Sequence, residues 1–267
     1  MIRSISNRES LEPFLQQLAE GEGKAVFELT DALDREGTLA FGSFDGEEMT
    51  GLFLFSRWED KYLVMSRWLT RSETAGREML TYLNREYPGY GVEFTFRPQD
   101  ALLKKLLLEA GATVFPEQRD MKLVGPVTAV DTSGIEPLSK ALEPRYFVLH
   151  RDSDPDGETY WTGEMVAANQ ARFIVLLALQ DGVPVGYLDL GLGEGGSNVG
   201  DLYVDPAYRR QGWGRKLLGK AIERNGAKPL TLQVDVDNEP AIRLYENMGF
   251  RPVPDSSRID AIWRIEG

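Results

Sequence analysis

A strand, a glycine loop and a helix follow one another directly in Leu202-Tyr203-Val204-Asp205-Pro206-Ala207-Tyr208-Arg209-Arg210-Gln211-Gly212-Trp213-Gly214-Arg215. Residues 202–204 are apolar and read as a strand, whereas the apolar spacing after the loop is that of an amphipathic helix. Gly212 and Gly214 carry no side chain, so the backbone can approach a ligand and direct its N–H groups outward. Arg209 and Arg210 add positive charge, and a helix N-terminus favours an anion. The segment therefore predicts a phosphate or pyrophosphate site in an α/β fold.

A second informative segment reads Asn238-Glu239-Pro240-Ala241-Ile242-Arg243-Leu244-Tyr245-Glu246-Asn247-Met248-Gly249-Phe250. Its apolar residues recur with helical spacing, at Ala241, Leu244, Tyr245 and Met248. Asn238 suits the N-cap of this helix, and Gly249 suits its C-terminal end.

The composition of the 267-residue chain narrows the possible functions. The lack of cysteine excludes disulfides and cysteine nucleophiles, and a single histidine allows no histidine cluster for zinc, so we expect no metal. The net charge of −12 argues against a nucleic-acid partner, because phosphate contacts need clustered Lys and Arg. It is compatible with cationic substrates such as amines, or it serves solubility alone. Without an apolar run that could span a bilayer or a secretory signal, we expect a cytoplasmic protein with no membrane partner.

The chain contains an internal repeat, because Gly76 aligns with Gly214, 138 positions later. At the same offset, residues 92–96 align with 230–234 as strands, and residues 103–111 align with 241–249 as a helix and its terminal glycine. Each copy predicts the order strand, helix, hairpin, strand, helix, strand, helix, strand; chance similarity is the alternative. The predicted domains are residues 1–126 and 145–267, joined by a linker at 127–144.

The two quoted segments together resemble the GNAT acetyltransferase family. The family's cofactor loop is Arg or Gln, two residues, Gly, one residue, then Gly or Ala, which residues 209–214 fit. Residues 238–250 resemble the family helix that runs from an Asn near the cofactor to a Tyr near the thioester and closes in Gly-Phe. The resemblance covers roughly residues 146–265. It implies an α/β fold with a mixed sheet, as two tandem GNAT-like acyl-CoA N-acyltransferase domains.

The resemblance also implies acetyl-CoA as co-substrate and direct acetyl transfer to the amine of a small molecule or a peptide. It places acetyl-CoA on residues of the second half, namely Leu202, Tyr203, Val204, Arg209, Arg210, Gln211, Gly212, Trp213, Gly214, Arg215 and Asn238. Backbone N–H groups of residues 202–204 would hold the pantetheine arm and polarise the thioester carbonyl.

Catalysis needs a base, because a primary amine has a reference pKa near ~10.4 and must lose a proton directly or through water. Many family members place an acidic residue where Asp201 precedes the cofactor strand, and Asp189 is a second candidate; either could instead be a hairpin-end carboxylate in solvent. Tyr245 is implied as proton donor to the leaving thiolate, or it only packs on its helix. His150 reads most simply as a polar strand residue.

The first half keeps the repeat without the loop. Opposite residues 209–214 stand Arg71-Ser72-Glu73-Thr74-Ala75-Gly76, so that Thr74 replaces the loop glycine and Glu73 adds negative charge beside phosphates. Leu107 stands opposite Tyr245. We therefore predict a degenerate first domain and one active site in the second. Because the duplicated chain could make internally the contact that single-domain relatives make by dimerising, both a monomer and a homodimer stay open.

Two further patterns concern the region before and within the second hairpin. A helix is predicted over Tyr160, Trp161, Met165 and Asn169, where the family lines its acceptor pocket, unless these side chains only pack in the core. Gly191, Gly193 and Gly196 formally match a dinucleotide-binding pattern, but a strand follows them where that pattern needs a helix. They therefore predict a hairpin loop.

Two other functions stay open at this point. A non-catalytic acyl-CoA-binding or regulatory scaffold would need the loop but would have no use for Tyr245. A phosphate-binding protein unrelated to CoA would not need the second segment.

Overall fold

The computed structural model describes residues 1–5, 37–59, 61–70, 72–125, 129–155, 157 and 161–267. The chain forms two compact units, Met1–Glu117 with Arg258–Gly267 and Gln118–Ser257. The helix predicted near the start of the first half falls on residues 6–36, outside the described residues. None of the described helices combines the length and the apolar character that crossing a membrane requires.

The elements are numbered in chain order over the described residues. The strands are β1 (Ile2–Ser4), β2 (Thr38–Asp45), β3 (Glu48–Glu59), β4 (Tyr62–Leu69), β5 (Gly91–Phe96), β6 (Thr113–Val114), β7 (Gln118–Leu123), β8 (Ile135–Pro137), β9 (Phe173–Gln180), β10 (Val183–Gly193), β11 (Gly196–Val204), β12 (Leu230–Asp235), β13 (Phe250–Pro252) and β14 (Ile259–Arg264). The α-helices are α1 (Glu73–Glu86), α2 (Ala101–Glu109), α3 (Glu143–Ser153), α4 (Gly163–Ala168), α5 (Trp213–Asn225) and α6 (Glu239–Asn247).

The two units contain mixed sheets with the same strand order. The first sheet runs β1-β2-β3-β4-β5-β14-β6, and the second, read from its opposite edge, runs β8-β9-β10-β11-β12-β7-β13. In each sheet one described pair is parallel, β4 with β5 and β11 with β12. The mixed α/β fold and the repeat are thereby confirmed.

One strand of each sheet comes from the other half of the sequence. β7 lies between β12 and β13 in the second sheet, and β14 lies between β5 and β6 in the first. The compact units therefore begin and end elsewhere than the predicted domains 1–126 and 145–267. The alternating burial of β14, with Ile259, Ala261 and Trp263 inside, identifies a strand but carries no information about its partner.

In the second unit the central sheet is covered on both faces. One face packs Leu176, Leu188 and further apolar residues against α5 and α6. The other packs Leu177 and Tyr187 against α3 and α4. Because the residues of a strand alternate between faces, these two sets of side chains interleave along β9 and β10.

The two parallel strands of this sheet diverge part-way along their length. β11 pairs with β12 only over residues 197–199, whereas its pairing with β10 continues to Val204. Within the described sheet, the backbone groups of residues 202–204 that face β12 have no strand partner. A wedge therefore opens between β11 and β12.

Candidate active site

The helix N-terminus at Gly212 is open. Gly212 has a φ of 89° and a ψ of 0°, and it precedes α5 without a side-chain capping bond. A Cβ added at this position would meet nothing within 4 Å, so the space in front of the helix is free. The N–H groups of the first turn and the helix dipole point into that space. This geometry favours a bound anion, as the sequence predicts.

The loop before α5 is held by its own side chains. The carboxylate of Asp205 accepts a hydrogen bond from the N–H of Ala207 at 3.0 Å and a salt bridge from Arg145 at 2.9 Å. Arg209 donates from Nε to the carbonyl of Val204 at 2.9 Å, and its guanidinium lies 5.6 Å from the ring centre of Tyr203. The loop is thereby tied to the end of β11.

The other predicted loop residues surround the open helix end. Arg210, with a φ of 65°, and Gln211 are exposed. Trp213 is half-buried with the ammonium group of Lys216 5.3 Å from its ring centre, and Arg215 is exposed on the first turn. Gly214 lies close to α6, since a Cβ added at this position would be 3.3 Å from Leu244.

A β-bulge places two carboxylates opposite each other. The register of β10 and β11 shifts after Asp189, so Asp189 faces Asp201 and Gly200 has no counterpart. After this bulge Leu202 and Val204 pack on the α5 face, and Tyr203 packs on the α3 face with Tyr187. Asp201 alternates with Leu202 and therefore lies on the α3 face.

Asp189 is buried, with 3% of its surface exposed. Its two carboxylate oxygens accept hydrogen bonds from the hydroxyl of Tyr146 at 3.0 and 2.9 Å, and Nε2 of His150 lies 3.5 Å from Oδ2. Burial raises the pKa of Asp189 to about 6, although the hydrogen bond from His150 opposes the rise. The alternative of a hairpin-end carboxylate in solvent is therefore wrong for Asp189.

His150 is the partner that makes this burial tolerable. Burial is the largest single influence on His150 and lowers its pKa, but the hydrogen bond to Asp189 and the charges of Asp189, Asp201 and Glu164 together outweigh it, so the pKa is raised. His150 lies on α3, one turn after Tyr146, so the interpretation as a strand residue is wrong. Its ring stacks on Tyr187 with centres 5.3 Å apart. The i, i+4 spacing of Tyr146 and His150 was a visible signal that both face the sheet.

Asp201 has different surroundings from Asp189. It is half-buried, and its Oδ2 accepts hydrogen bonds from the hydroxyl of Tyr187 and from Oγ of Ser153, the latter at 3.3 Å. Ser153 and Tyr187 are themselves hydrogen-bonded at 2.6 Å. Both bonds reach the same carboxylate oxygen, so Asp201 is oriented by the protein while remaining partly accessible.

Tyr245 and Asn238 occupy the helix on the far side of the wedge. Tyr245 is 7% exposed and its ring lies 6.1 Å from that of Phe250. Burial raises the pKa of Tyr245 to about 12, with the negative charges of Asp201 and Asp235 adding to the rise. The side chain of Asn238 caps α6 by accepting from the N–H of Ala241 at 3.2 Å, which confirms its predicted place at the helix start.

The helix predicted before the hairpin is shorter than expected. Trp161 precedes α4, and Asn169 caps its end, donating from Nδ2 to the carbonyl of Met165 at 2.8 Å. Tyr160 lies outside the described residues. Gly193 and Gly196 flank the β10–β11 turn, which confirms the predicted hairpin.

Comparisons with known proteins agree with this geometry. The acetyltransferase (GNAT) family model matches residues 135–250. The [ribosomal protein bS18]-alanine N-acetyltransferase of Escherichia coli K12 is 34% identical over 94 residues, which are 34% of this chain and 64% of that enzyme. The chain thus spans less than two thirds of the length of this curated relative.

Two solved structures resemble the whole chain. The GCN5-related N-acetyltransferase from Sphaerobacter thermophilus has a TM-score of 0.60 at 16% identity, covering 100% of this chain and 96% of that one. A tandem GNAT protein from the clavulanic acid biosynthesis pathway has a TM-score of 0.51 at 14% identity, covering 100% and 99%. At these identities the likeness shows the fold, and it includes both units.

Proposed function

We propose that this chain, whose residues 135–250 match the acetyltransferase (GNAT) family model, moves an acetyl group from acetyl-CoA to an amine at one active site in the second unit. The observation that carries this proposal is the open N-terminus of α5 beside the wedge between β11 and β12. It supports both an anion site and a neighbouring slot for an extended arm.

The residues present fit acetyl-CoA. The uncapped first turn of α5 and the exposed Arg210 and Arg215 suit the pyrophosphate, since the free space at Gly212 lets phosphate oxygens reach backbone N–H groups. On the side that faces β12, the backbone of residues 202–204 has no strand partner in the described sheet, which suits the amides of the pantetheine arm. When bound, acetyl-CoA supplies the acetyl group as an activated thioester.

Asp201 is the better candidate for the base. Asp189 is fully buried and its oxygens are already engaged by Tyr146 and His150, so a substrate amine cannot reach it. Asp201 keeps one oxygen outside its described hydrogen bonds and is partly accessible. We assign to it the removal of the amine proton, directly or through water.

Tyr245 serves as a hydrogen-bond donor to the leaving sulfur. With a pKa of about 12 its hydroxyl keeps its proton at neutral pH. A thiol has a reference pKa of about 8.5, so complete transfer of the phenol proton is uphill. Tyr245 therefore contributes to the rate, while the reaction does not depend on it.

Calorimetric titration of the full chain with acetyl-CoA tests the binding step, and thiol release in the presence of amines tests the chemistry. We expect one site per chain and amine-dependent release. Two equivalent sites would contradict the degenerate first domain. One site without release by any amine would favour the alternative of a non-catalytic acyl-CoA-binding scaffold.

A further inference from the structure

A cavity of about 650 Å³ lies in the second unit where β10, β11 and β12 meet the segment before α4. Its walls include Trp161, Arg172, Phe173, Asn198, Gly200 and Thr231. Cavities of this volume suit small ligands. The rings of Trp161 and Phe173 contact each other with centres 4.9 Å apart and give one wall an aromatic surface.

The cavity and the candidate base Asp201 lie on the same face of the sheet. Gly200, the bulge residue that lines it, directly precedes Asp201 in β11. Trp161 and Phe173 pack against the apolar cluster of α3 and α4, on the face of the sheet where Asp201 lies. A molecule in the cavity can therefore direct one end toward the Asp201 carboxylate.

Arg172 gives the cavity its charge. It is the one charged side chain among the described residues that line the cavity. Its guanidinium lies 5.2 Å from the ring centre of Trp161, and within the described part of the chain it has no carboxylate partner. The chain as a whole has a net charge of −12, so this local positive charge runs against the overall balance.

The glycines of the β10–β11 hairpin keep this space open. A Cβ at Gly191 would lie 2.4 Å from Oδ1 of Asn198, and one at Gly193 would lie 2.9 Å from the carbonyl oxygen of Gly196. Side chains at these positions would displace the floor of the cavity. The glycine pattern that imitates a dinucleotide motif thus has a steric role here.

We propose that this cavity binds the acceptor and that the acceptor is a small primary amine carrying a carboxylate. Arg172 binds the carboxylate, Trp161 and Phe173 contact the carbon chain between the two groups, and the amine is directed toward Asp201. A guanidinium presents paired N–H donors that match a carboxylate. The inference rests on the proposed acetyl transfer.

The transfer balances without any further reactant. The amine nitrogen forms a bond to the carbonyl carbon of the acyl-CoA thioester as the carbon–sulfur bond breaks. The nitrogen loses one proton to Asp201, and the sulfur keeps the bonding electron pair and leaves as the thiolate. The products are an N-acetylated amino acid and CoA.

The test compares amino acids with their own amides. Phenylalanine, 4-aminobutyric acid and 6-aminohexanoic acid are each paired with the corresponding amide, which keeps the amine and the carbon chain but removes the charge. Thiol release by the full chain is measured at saturating acetyl-CoA. We expect at least one acid to exceed its amide in kcat/KM by about tenfold or more, as a charge-assisted contact would give.

Arg172→Gln is expected to remove that preference by raising KM for the acid, with kcat and the rates of the amides little changed. Arg224→Gln, an exposed change on α5, is the matched control and should keep the preference. Equal rates for acids and amides in the unaltered protein, or a preference that survives Arg172→Gln, would overturn the inference while leaving acetyl transfer intact. No thiol release with either set of amines would overturn both.

Discussion

The N-terminal ends of α1 and α5 occupy equivalent places in the two units, yet one is closed by the protein and the other is open. A Cβ added at Gly76 would lie 2.5 Å from Leu106, and one added at Gly214 would lie 3.3 Å from Leu244. The two glycines are 138 positions apart, and so are the two leucines. Helix α1 begins at Glu73, three residues before Gly76, whereas α5 begins at Trp213, one residue before Gly214. Glu73 and Thr74 are therefore helical in the first unit, whereas the residues 138 positions later, Gln211 and Gly212, precede the helix of the second.

The closure of α1 uses the protein's own groups. Oγ of Ser72 accepts a hydrogen bond from the N–H of Ala75 at 3.2 Å. The carboxylate of Glu73 is bound by Arg77 at 2.7 Å and Lys105 at 3.1 Å, and the hydrogen bond from Arg77 is the largest cause that lowers the pKa of Glu73. The Ser72 cap and the Glu73 carboxylate thus occupy the helix end at which an external anion would otherwise be favoured.

The two sheets also differ in the side chains that stand at their equivalent β-bulges. In the first sheet the register of β3 and β4 shifts after Leu54, which faces Arg67. The equivalent pair in the second sheet is Asp189 and Asp201. Both sheets thus contain the bulge, but the first has an apolar residue and a cation where the second has two carboxylates. The two units share this backbone arrangement and differ in the side chains that stand at it.

The largest expected effect comes from closing the open helix end. Gly212→Glu should abolish detectable acetyl-CoA binding, because the new carboxylate repels phosphate and its residue must adopt a φ that favours glycine. Thr74→Glu, at the exposed equivalent position of α1, should leave binding unchanged. Calorimetry measures both. Loss of binding in the Thr74 variant would place an acetyl-CoA site in the first unit.

The bulge comparison predicts the next largest effect. Asp201→Asn keeps the shape but cannot accept the amine proton, so we expect kcat to fall by about 10²–10⁴-fold with acetyl-CoA binding preserved. Arg67→Gln, at the matched position of the first sheet, should retain full turnover. Equal activity of the Asp201 variant and the unaltered chain would remove Asp201 from the role of base.

The buried pair of Asp189 and His150 allows a direct measurement, because His150 is the only histidine of the chain. Its imidazole signal in an NMR titration should give a pKa above the ordinary value of about 6.5. In Asp189→Asn the carboxylate charge that favours the protonated imidazole is lost while burial remains, so the pKa should fall below that value.

Other charges also act on His150, and a control separates them. Asp201 and Glu164 raise the pKa of His150 through their charges, and the hydroxyls of Tyr146 and Tyr187 face the same space. Glu164→Gln, an exposed change on α4, should shift the pKa only slightly. An unchanged pKa in a folded Asp189→Asn protein, checked by circular dichroism, would show that the pair is not coupled.

The smallest effect is expected at the closed helix end. Ser72→Ala removes the cap of α1 and should cost about 1 kcal/mol in the free energy of unfolding, measured by denaturant titration. Acetyl-CoA binding and turnover should be unaltered. A change in turnover would mean that the first helix end takes part in the active site after all.

Local features were predictable from the sequence to the extent that local physics determines them. The glycines, the helix spacing and the Asn238 cap each depend on neighbours within a few residues, and the structure places them as expected. The repeat predicted two sheets of one pattern because matching strands and helices recur at one offset. The catalytic and acetyl-CoA-binding roles of the individual residues stay predictions.

Pairings between distant residues were not predictable. The contact of His150 with Asp189 joins a helix to a strand, and composition made the single histidine look unimportant. The positions of β7 and β14 depend on which sheet can take up a further strand, between β12 and β13 or between β5 and β6. Burial patterns identify the face of a strand, whereas the partner is decided by tertiary packing.

The position of β14 has a consequence for the order in which the protein can fold during synthesis. β6 is joined to the first sheet through β14, so residues 113–114 cannot take their place until residues 259–264 have left the ribosome. The second sheet can acquire β7 as soon as residues 118–257 have been made. Domains usually complete folding in the order of their synthesis. In this chain the part that is made first is completed last.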